Sequence, residues 1–160
     1  MESPNVIIYT DGSCMPNPGR GGCACVMLYK GHRKELSAGY TLSTNSRMEI
    51  MGAILALEAI KNPEIKIIIN SDSQYLVNSF NKGWLFNWEK NKFQGRENAD
   101  LWIKLLALYR KCSEVEFVWV RGHNGDTENE RCDKLANKAA QNPTLKDIEY
   151  LKKVEKSNNG

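Results

Sequence analysis

No stretch of this 160-residue chain approaches the roughly 20 consecutive apolar residues of a membrane-spanning helix. The first residues, Met-Glu-Ser-Pro-Asn, lack both the basic start and the apolar stretch of a secretion signal, so a cytoplasmic protein is expected. Cysteine occurs five times (Cys14, Cys23, Cys25, Cys112 and Cys132), an odd count with no Cys-x-x-Cys pair. That spacing suits neither a zinc ribbon nor a secreted disulfide framework and leaves reduced, mostly buried thiols. Histidine occurs only twice, at positions 32 and 123, and His32 falls in a turn, so acid–base cleavage by a histidine pair is discounted. Neither sign of charge dominates: the net +3 permits a polyanionic partner without demanding one. There is no internal repeat and no sign of a second domain, and the length suits one domain with a substantial core.

What is present is organised around two apolar runs that each end in a carboxylate. Val6-Ile7-Ile8-Tyr9-Thr10 delivers Asp11 before breaking on Gly12, and Ile65 to Ser71 delivers Asp72. Both read as buried strands, the first roughly Val6 to Tyr9. If they lie parallel in one sheet, the two acids emerge at the same edge, where open α/β sheets place their ligands. Met15 to Gly22 is rich in proline and glycine and predicts a tight turn. Cys23–Tyr29 and Glu35–Thr41 then complete an antiparallel meander across a turn at residues 30–33, where His32 is expected to be solvated.

The period changes at Asn45, and Met48, Met51, Ile54 and Leu57 predict a helix to Ile60, stopped by Asn62-Pro63. Glu49 falls in its first turns, as a dipole-compensating acid or as a site residue. Ser73–Asn81 predicts a short helix capped by Asp72 or Ser73. Trp84 and Trp88 share a helix face beside Lys90, Lys92 and Arg96, which suits either packing or a sugar–phosphate backbone. Leu101–Tyr109 is a core-facing helix and Val115–Val120 a fifth strand. The strand runs into the glycine-bracketed loop that holds His123. Thr127 and Glu130 fit a capping box for a helix whose buried stripe is Cys132, Leu135, Ala136 and Ala139, with Asp133 at its boundary. From residue 143 the composition turns polar, and residues 143–160 are expected to form a loosely held tail after a domain of residues 1–142.

This order predicts an α/β fold: one five-stranded mixed sheet, order 3-2-1-4-5, flanked by helices. Strands 1 and 4 are then central neighbours, which brings Asp11 and Asp72 together. With Glu49 and Asp133 approaching from helices, four carboxylates would repel one another unless a cation neutralised them. Hard oxygen donors without paired histidines point to magnesium or manganese, and such a site suits two-metal phosphoryl chemistry.

Five blocks of the chain resemble bacterial type-1 ribonuclease H. They are Tyr9-Thr10-Asp11-Gly12-Ser13-Cys14 with Asn17-Pro18-Gly19, Thr44-Asn45-Ser46-Arg47-Met48-Glu49, Ser71-Asp72-Ser73-Gln74-Tyr75, Trp119-Val120-Arg121-Gly122-His123 and Glu128-Asn129-Glu130-Arg131-Cys132-Asp133. The resemblance runs in order from about residue 6 to 143. It implies a Mg2+-dependent endonuclease (two ions with substrate bound, Mn2+ as a substitute) that cuts the RNA strand of RNA–DNA hybrids, leaving 5′-phosphate and 3′-hydroxyl ends. By position it implies that Asp11, Glu49, Asp72 and Asp133 are metal-binding catalytic acids. His123 corresponds to a loop histidine that aids proton transfer or product departure. It further implies RNA-strand contacts at Cys14, Asn17, Asn45 and Gln74, near the 2′-hydroxyls. Thr44 and Asn98 correspond to members of a DNA-phosphate pocket, and Trp84 and Trp88 to a channel for the DNA sugars.

Two departures stand out. Leu42 occupies a position where the family's phosphate pocket often has arginine, and the basic stretch between Trp88 and Trp102 is short and carries Glu89 and Glu97. Intact catalysis is expected, with weaker and more salt-sensitive binding than in a relative with a longer basic stretch. The alternatives are a non-cleaving hybrid-binding module of the same fold, against which all four acids speak, or a related structure-specific nuclease. A magnesium phosphatase is disfavoured because Gly-Ser-Cys, with no second acid, follows Asp11. No apolar stripe is left over for a partner, so a monomer is expected.

Overall fold

The structure, a computed structural model, describes residues 5–122 and 124–159. The chain forms β1 (Val6–Cys14), β2 (Gly19–Tyr29), β3 (His32–Ser43), α1 (Asn45–Glu58), β4 (Lys66–Ser71), α2 (Gln74–Asn81) and α3 (Trp84–Lys90). It continues through α4 (Ala99–Lys111), β5 (Glu114–Trp119), α5 (Thr127–Gln141) and α6 (Ile148–Asn159). The five strands make one sheet in the order β3-β2-β1-β4-β5, the order expected from sequence. β1 pairs antiparallel with β2 and β2 with β3, while β1–β4 and β4–β5 are parallel.

Both faces of the central strands are covered, which is why β2 is buried almost continuously rather than at alternate residues. On one face Ile8, Cys25 and Met27 meet Ile50, Ile54 and Leu57 of α1 and Trp102 and Leu105 of α4. On the other, Ala24 and Val26 meet Cys132 and Ala136 of α5. This second layer is thin because α5 lies directly on the strand: a Cβ at Gly22 would stand 1.9 Å from the carbonyl oxygen of Ala136. Only glycine permits that approach, and with it the placement of Asp133 on α5.

Four expectations are corrected. The sheet extends further into the predicted turn: Ser13 and Cys14 pair with Gly22 and Gly21, so the turn shrinks to Met15–Pro18. Here backbone pairing outweighs the weak strand preference of glycine. Helix α1 ends at Glu58, before Ile60, with Ala59 closing it. The cap of α5 is Asp126, not Thr127: its carboxylate accepts from the amides of Glu128 and Asn129, leaving Thr127 as the first helical residue. A carboxylate at the positive end of the helix dipole is the stronger cap.

The fourth correction concerns the polar tail. The amides of Thr144 and Leu145 donate to the carbonyl of Gly39, and Leu145 returns a carbonyl to the amide of Thr41. Asp147 is buried, accepting from the Ser43 hydroxyl at 2.7 Å and from Nε of Arg47 at 2.7 Å. Arg47 also donates from both Nη atoms to Asp100, at 2.9 and 2.7 Å. Burial works against the guanidinium, but the Asp100 and Asp147 carboxylates more than compensate and hold its pKa above the usual value. One cation thereby fastens α1, the start of α4 and the segment leading into α6.

Candidate active site and nucleic-acid interface

The β1–β4 register ends with Thr10 opposite Ser71, so Asp11 and Asp72 leave the sheet side by side one residue later. Asp11 is only 7% exposed, and its Oδ1 accepts the Gly12 amide at 2.9 Å. Burial, followed by the charge of Asp72 and the charge and hydrogen bond of Asp133, pushes its carboxyl up to about 8. Glu49 is raised as well, by burial and by Asp72, against a lowering hydrogen bond donated by the Ser73 hydroxyl. Asp72 and Asp133 thus both act on Asp11, and Glu49 joins through Asp72.

Local structure explains how each acid arrives. Glu49 reaches the strand end because Gly12 has no side chain: a Cβ there would lie 2.1 Å from the carbonyl carbon of Met48 and 2.4 Å from the Glu49 amide. Asp72 is not a helix cap, because Ser73 takes that role by accepting from the Leu76 amide. The carbonyl of Asp72 instead accepts from Nε1 of Trp119 at 3.2 Å. Asp133 is carried on α5, whose Cys132 thiol points inward to the carbonyls of Tyr9 and Ala24. Sequence spacing left Asp72, Glu49 and Asp133 each with a structural alternative. It did not reveal Ser73 as the partner of Glu49, although a serine directly after a strand-end acid was the available sign.

The donor set is four carboxylates, oxygen chemistry suited to magnesium or manganese. A carboxyl held protonated near neutral pH by burial and by acidic neighbours marks a place that a divalent cation would neutralise. In kind and charge the residues fit such an ion. Among the described residues, no group of three or more His, Cys, Asp or Glu side chains is arranged to hold one as it stands. His123 lies outside the described residues, while His32 is exposed at the start of β3.

Three of the four residues expected at the RNA strand interlock. Asn45 Oδ1 accepts the Cys14 amide at 2.6 Å, and the Asn45 amide donates to Asn17 Oδ1 at 3.1 Å. The Cys14 thiol is engaged with the carbonyls of Gly19 and Ser43, and burial raises its pKa. Gln74 stands apart, exposed at the first position of α2, two residues beyond Asp72.

On the side expected to meet DNA, Thr44 and Asn98 line a single cleft of about 670 Å³ together with Arg96. Thr44 is the N-cap of α1, accepting from the Arg47 amide. Asn98 precedes α4 with a left-handed backbone, and its side chain makes no capping hydrogen bond. The rings of Trp84 and Trp88 are 6.5 Å apart. Trp84 is 36% exposed beside Lys82, whereas Trp88 packs on Tyr75 and Trp102 beneath the Arg96 guanidinium. The pair therefore divides the two roles left open, one ring facing solvent and the other partly in the core. All five cysteines are free thiols. No described helix is long and apolar enough to cross a membrane.

The RNase H family model matches residues 3–141. A curated ribonuclease H of Syntrophus aciditrophicus is 55% identical over 148 residues, spanning 88% of this chain and 83% of that protein. Among solved structures, LC9-RNase H1, a type 1 RNase H with the type 2 active-site motif, superposes with a TM-score of 0.80. It is 28% identical and covers 90% of this chain and 75% of its own. LC11-RNase H1, solved in complex with an RNA/DNA hybrid, has a TM-score of 0.67 at 24% identity, covers 86% of this chain and 97% of its own, and supports the fold alone.

Proposed function

The chain belongs to the ribonuclease H family, and from that membership we propose that it is an endonuclease hydrolysing the RNA strand of RNA–DNA hybrids by in-line attack. The observation that carries the reading is the buried Asp11 carboxyl, flanked by Asp72 and Asp133 and linked through Asp72 to Glu49 at the end of the central strands. Two magnesium ions, or manganese in their place, held by Asp11, Glu49, Asp72 and Asp133 would supply an activated water and stabilise the departing oxygen. Residues 1–142 form the catalytic unit, acting as a cytoplasmic monomer.

The chain's own groups have distinct tasks. Asp11 gives up its proton when the site is loaded, because a nearby positive charge removes the cost of ionising it. Ser73 holds Glu49 by one oxygen, and its hydrogen bond opposes the upward shift that burial and Asp72 impose on that carboxyl. Cys14, Asn17 and Asn45 form one rigid unit that presents polar groups to the RNA strand near its 2′-hydroxyls, and Gln74 adds a contact beside Asp72. Thr44 and Asn98 hold a DNA phosphate, and Trp84 and Trp88 accept the DNA sugars. His123, by the family resemblance, takes a proton or eases product departure. Product ends are 5′-phosphate and 3′-hydroxyl.

Selectivity is tested with matched RNA–DNA, RNA–RNA and DNA–DNA duplexes labelled on each strand, with end-group analysis of the products. Cutting confined to the RNA of the hybrid supports the reading. Cutting of RNA–RNA at comparable rate would favour a structure-specific nuclease, and binding without cutting would favour an inert module. Hybrid affinity is expected to fall steeply as salt rises, since Leu42 adds no cation to the phosphate cleft.

A further inference from the structure

The cleft lined by Thr44 and Asn98 has a second wall that the family resemblance does not cover. Glu149, Tyr150, Lys153, Val154, Ser157 and Asn158 line it from α6. These residues recur at intervals of one and three, so one whole face of the helix is turned to the cleft. The segment before α6 is fixed by the burial of Asp147 against Ser43 and Arg47, which sets where the helix starts. A polar tail is thereby converted into a wall.

The charges in the cleft decide what it takes. Arg47 is spent, with its Nε and both Nη atoms engaged by Asp147 and Asp100. Glu149 is paired with Lys152 at 3.3 Å. Among the described residues Lys153 has no carboxylate within ion-pair distance, and Arg96 on the opposite wall carries its guanidinium over the Trp88 ring. Glu97 is the one lining carboxylate without an ion-pair partner among the described residues. The cleft therefore offers two available cations, a free amide at Asn98 and small hydroxyl and amide groups at Ser157 and Asn158, a set that matches a phosphodiester.

Resting on the proposed reading of the Thr44–Asn98 cleft, we infer that α6 is part of the nucleic-acid interface and that Lys153 supplies the DNA-strand phosphate with the cation that Leu42 does not. The ammonium reaches the phosphate as a mobile point charge on an exposed helix, without the planar two-donor grip of an arginine. It contributes to affinity and to its salt dependence, not to the bond-breaking step.

The test uses the full-length chain with Lys153→Ala, Lys153→Arg and, as a control on the same helix outside the cleft, Lys156→Ala. Hybrid binding is followed in EDTA over a salt series, and KM and kcat in magnesium. One phosphate contact contributes about 0.7–0.9 to the slope of log affinity against log salt, which is roughly five- to eightfold in affinity at 0.1 M relative to 1 M. Lys153→Ala is expected to lose that slope increment and to raise KM about fivefold with kcat within about twofold. Lys153→Arg and Lys156→Ala are expected to behave as wild type, and the urea midpoint of Lys153→Ala to stay unchanged.

A series of hybrids carrying one neutral methylphosphonate at successive DNA positions then locates the partner. At the gripped phosphate the effect of Lys153→Ala disappears, and elsewhere it persists. The inference is overturned if Lys153→Ala matches Lys156→Ala, if its loss accompanies a lowered urea midpoint, or if it adds to every neutral linkage on the DNA strand. Failure of the wild type to cleave hybrids would defeat the proposed function instead. The EDTA binding comparison is independent of that outcome.

Discussion

Replacing Asp11 by asparagine is expected to stabilise the metal-free fold while removing the chemistry. In the folded chain burial, together with Asp72 and Asp133, raises the Asp11 carboxyl from 3.8 to about 8. Between those values the folded chain holds a proton that the unfolded chain has released. Stability in EDTA therefore falls as pH rises from about 4 to about 8. At about 1.4 kcal/mol per pK unit, the wild type at pH 7 carries a penalty on the order of 4 kcal/mol, shared across the coupled acids. Asparagine keeps the acceptor for the Gly12 amide and carries no charge, so it avoids this penalty.

Urea unfolding in EDTA should show Asp11→Asn more stable than wild type by a few kcal/mol at pH 7 to 8, with the gap closing towards pH 4. For a chain of this length that corresponds to roughly 10 °C in Tm. Magnesium at about 100 times its Kd should raise wild-type stability by roughly 2.7 kcal/mol and the variant by much less. The reasoning is refuted if the variant is no more stable than wild type at pH 8, or if the gap does not change with pH.

Ser73→Ala should lose about 1 kcal/mol of helix capping and the hydrogen bond that lowers the Glu49 pKa, so a pH–rate profile should show its acid limb moved to higher pH. Gly12→Ala would force Met48 and Glu49 away from the strand end and should lower kcat/KM by about 100-fold in steady-state assays. Asp147→Ala leaves the Arg47 guanidinium, 5% exposed, with Asp100 alone and should cost about 3 kcal/mol by urea denaturation.

The sheet order was legible because each strand carries an apolar run of short period and each helix a longer one, with glycine and proline between. The ends were less legible: the ladder from Ser13 and Cys14 to Gly22 and Gly21 is a pairing of backbones, which side-chain pattern does not report. Asp126 and Thr127 are both good caps, and only the geometry of the two amides selected the aspartate. α6 was missed for a different reason. Its composition is polar, and what fixes its start is Asp147 meeting Arg47, 100 positions away. At the site, Asp11 and Asp72 were visible as acids at strand ends. Glu49 and Asp133 sit on helices where surface acids are ordinary, so local spacing left them open. Their convergence depends on the bare Gly12 and Gly22 backbones, which no local pattern reveals.

The account stands most directly on one measurement: magnesium-initiated cleavage of a hybrid labelled on its RNA strand, followed in single turnover for wild type and Asp11→Asn. The account predicts RNA fragments with 3′-hydroxyl ends from the wild type, an intact DNA strand, and no cleavage by the folded variant. Wild-type rates unchanged in EDTA, or a variant that cuts as fast as wild type, would contradict it.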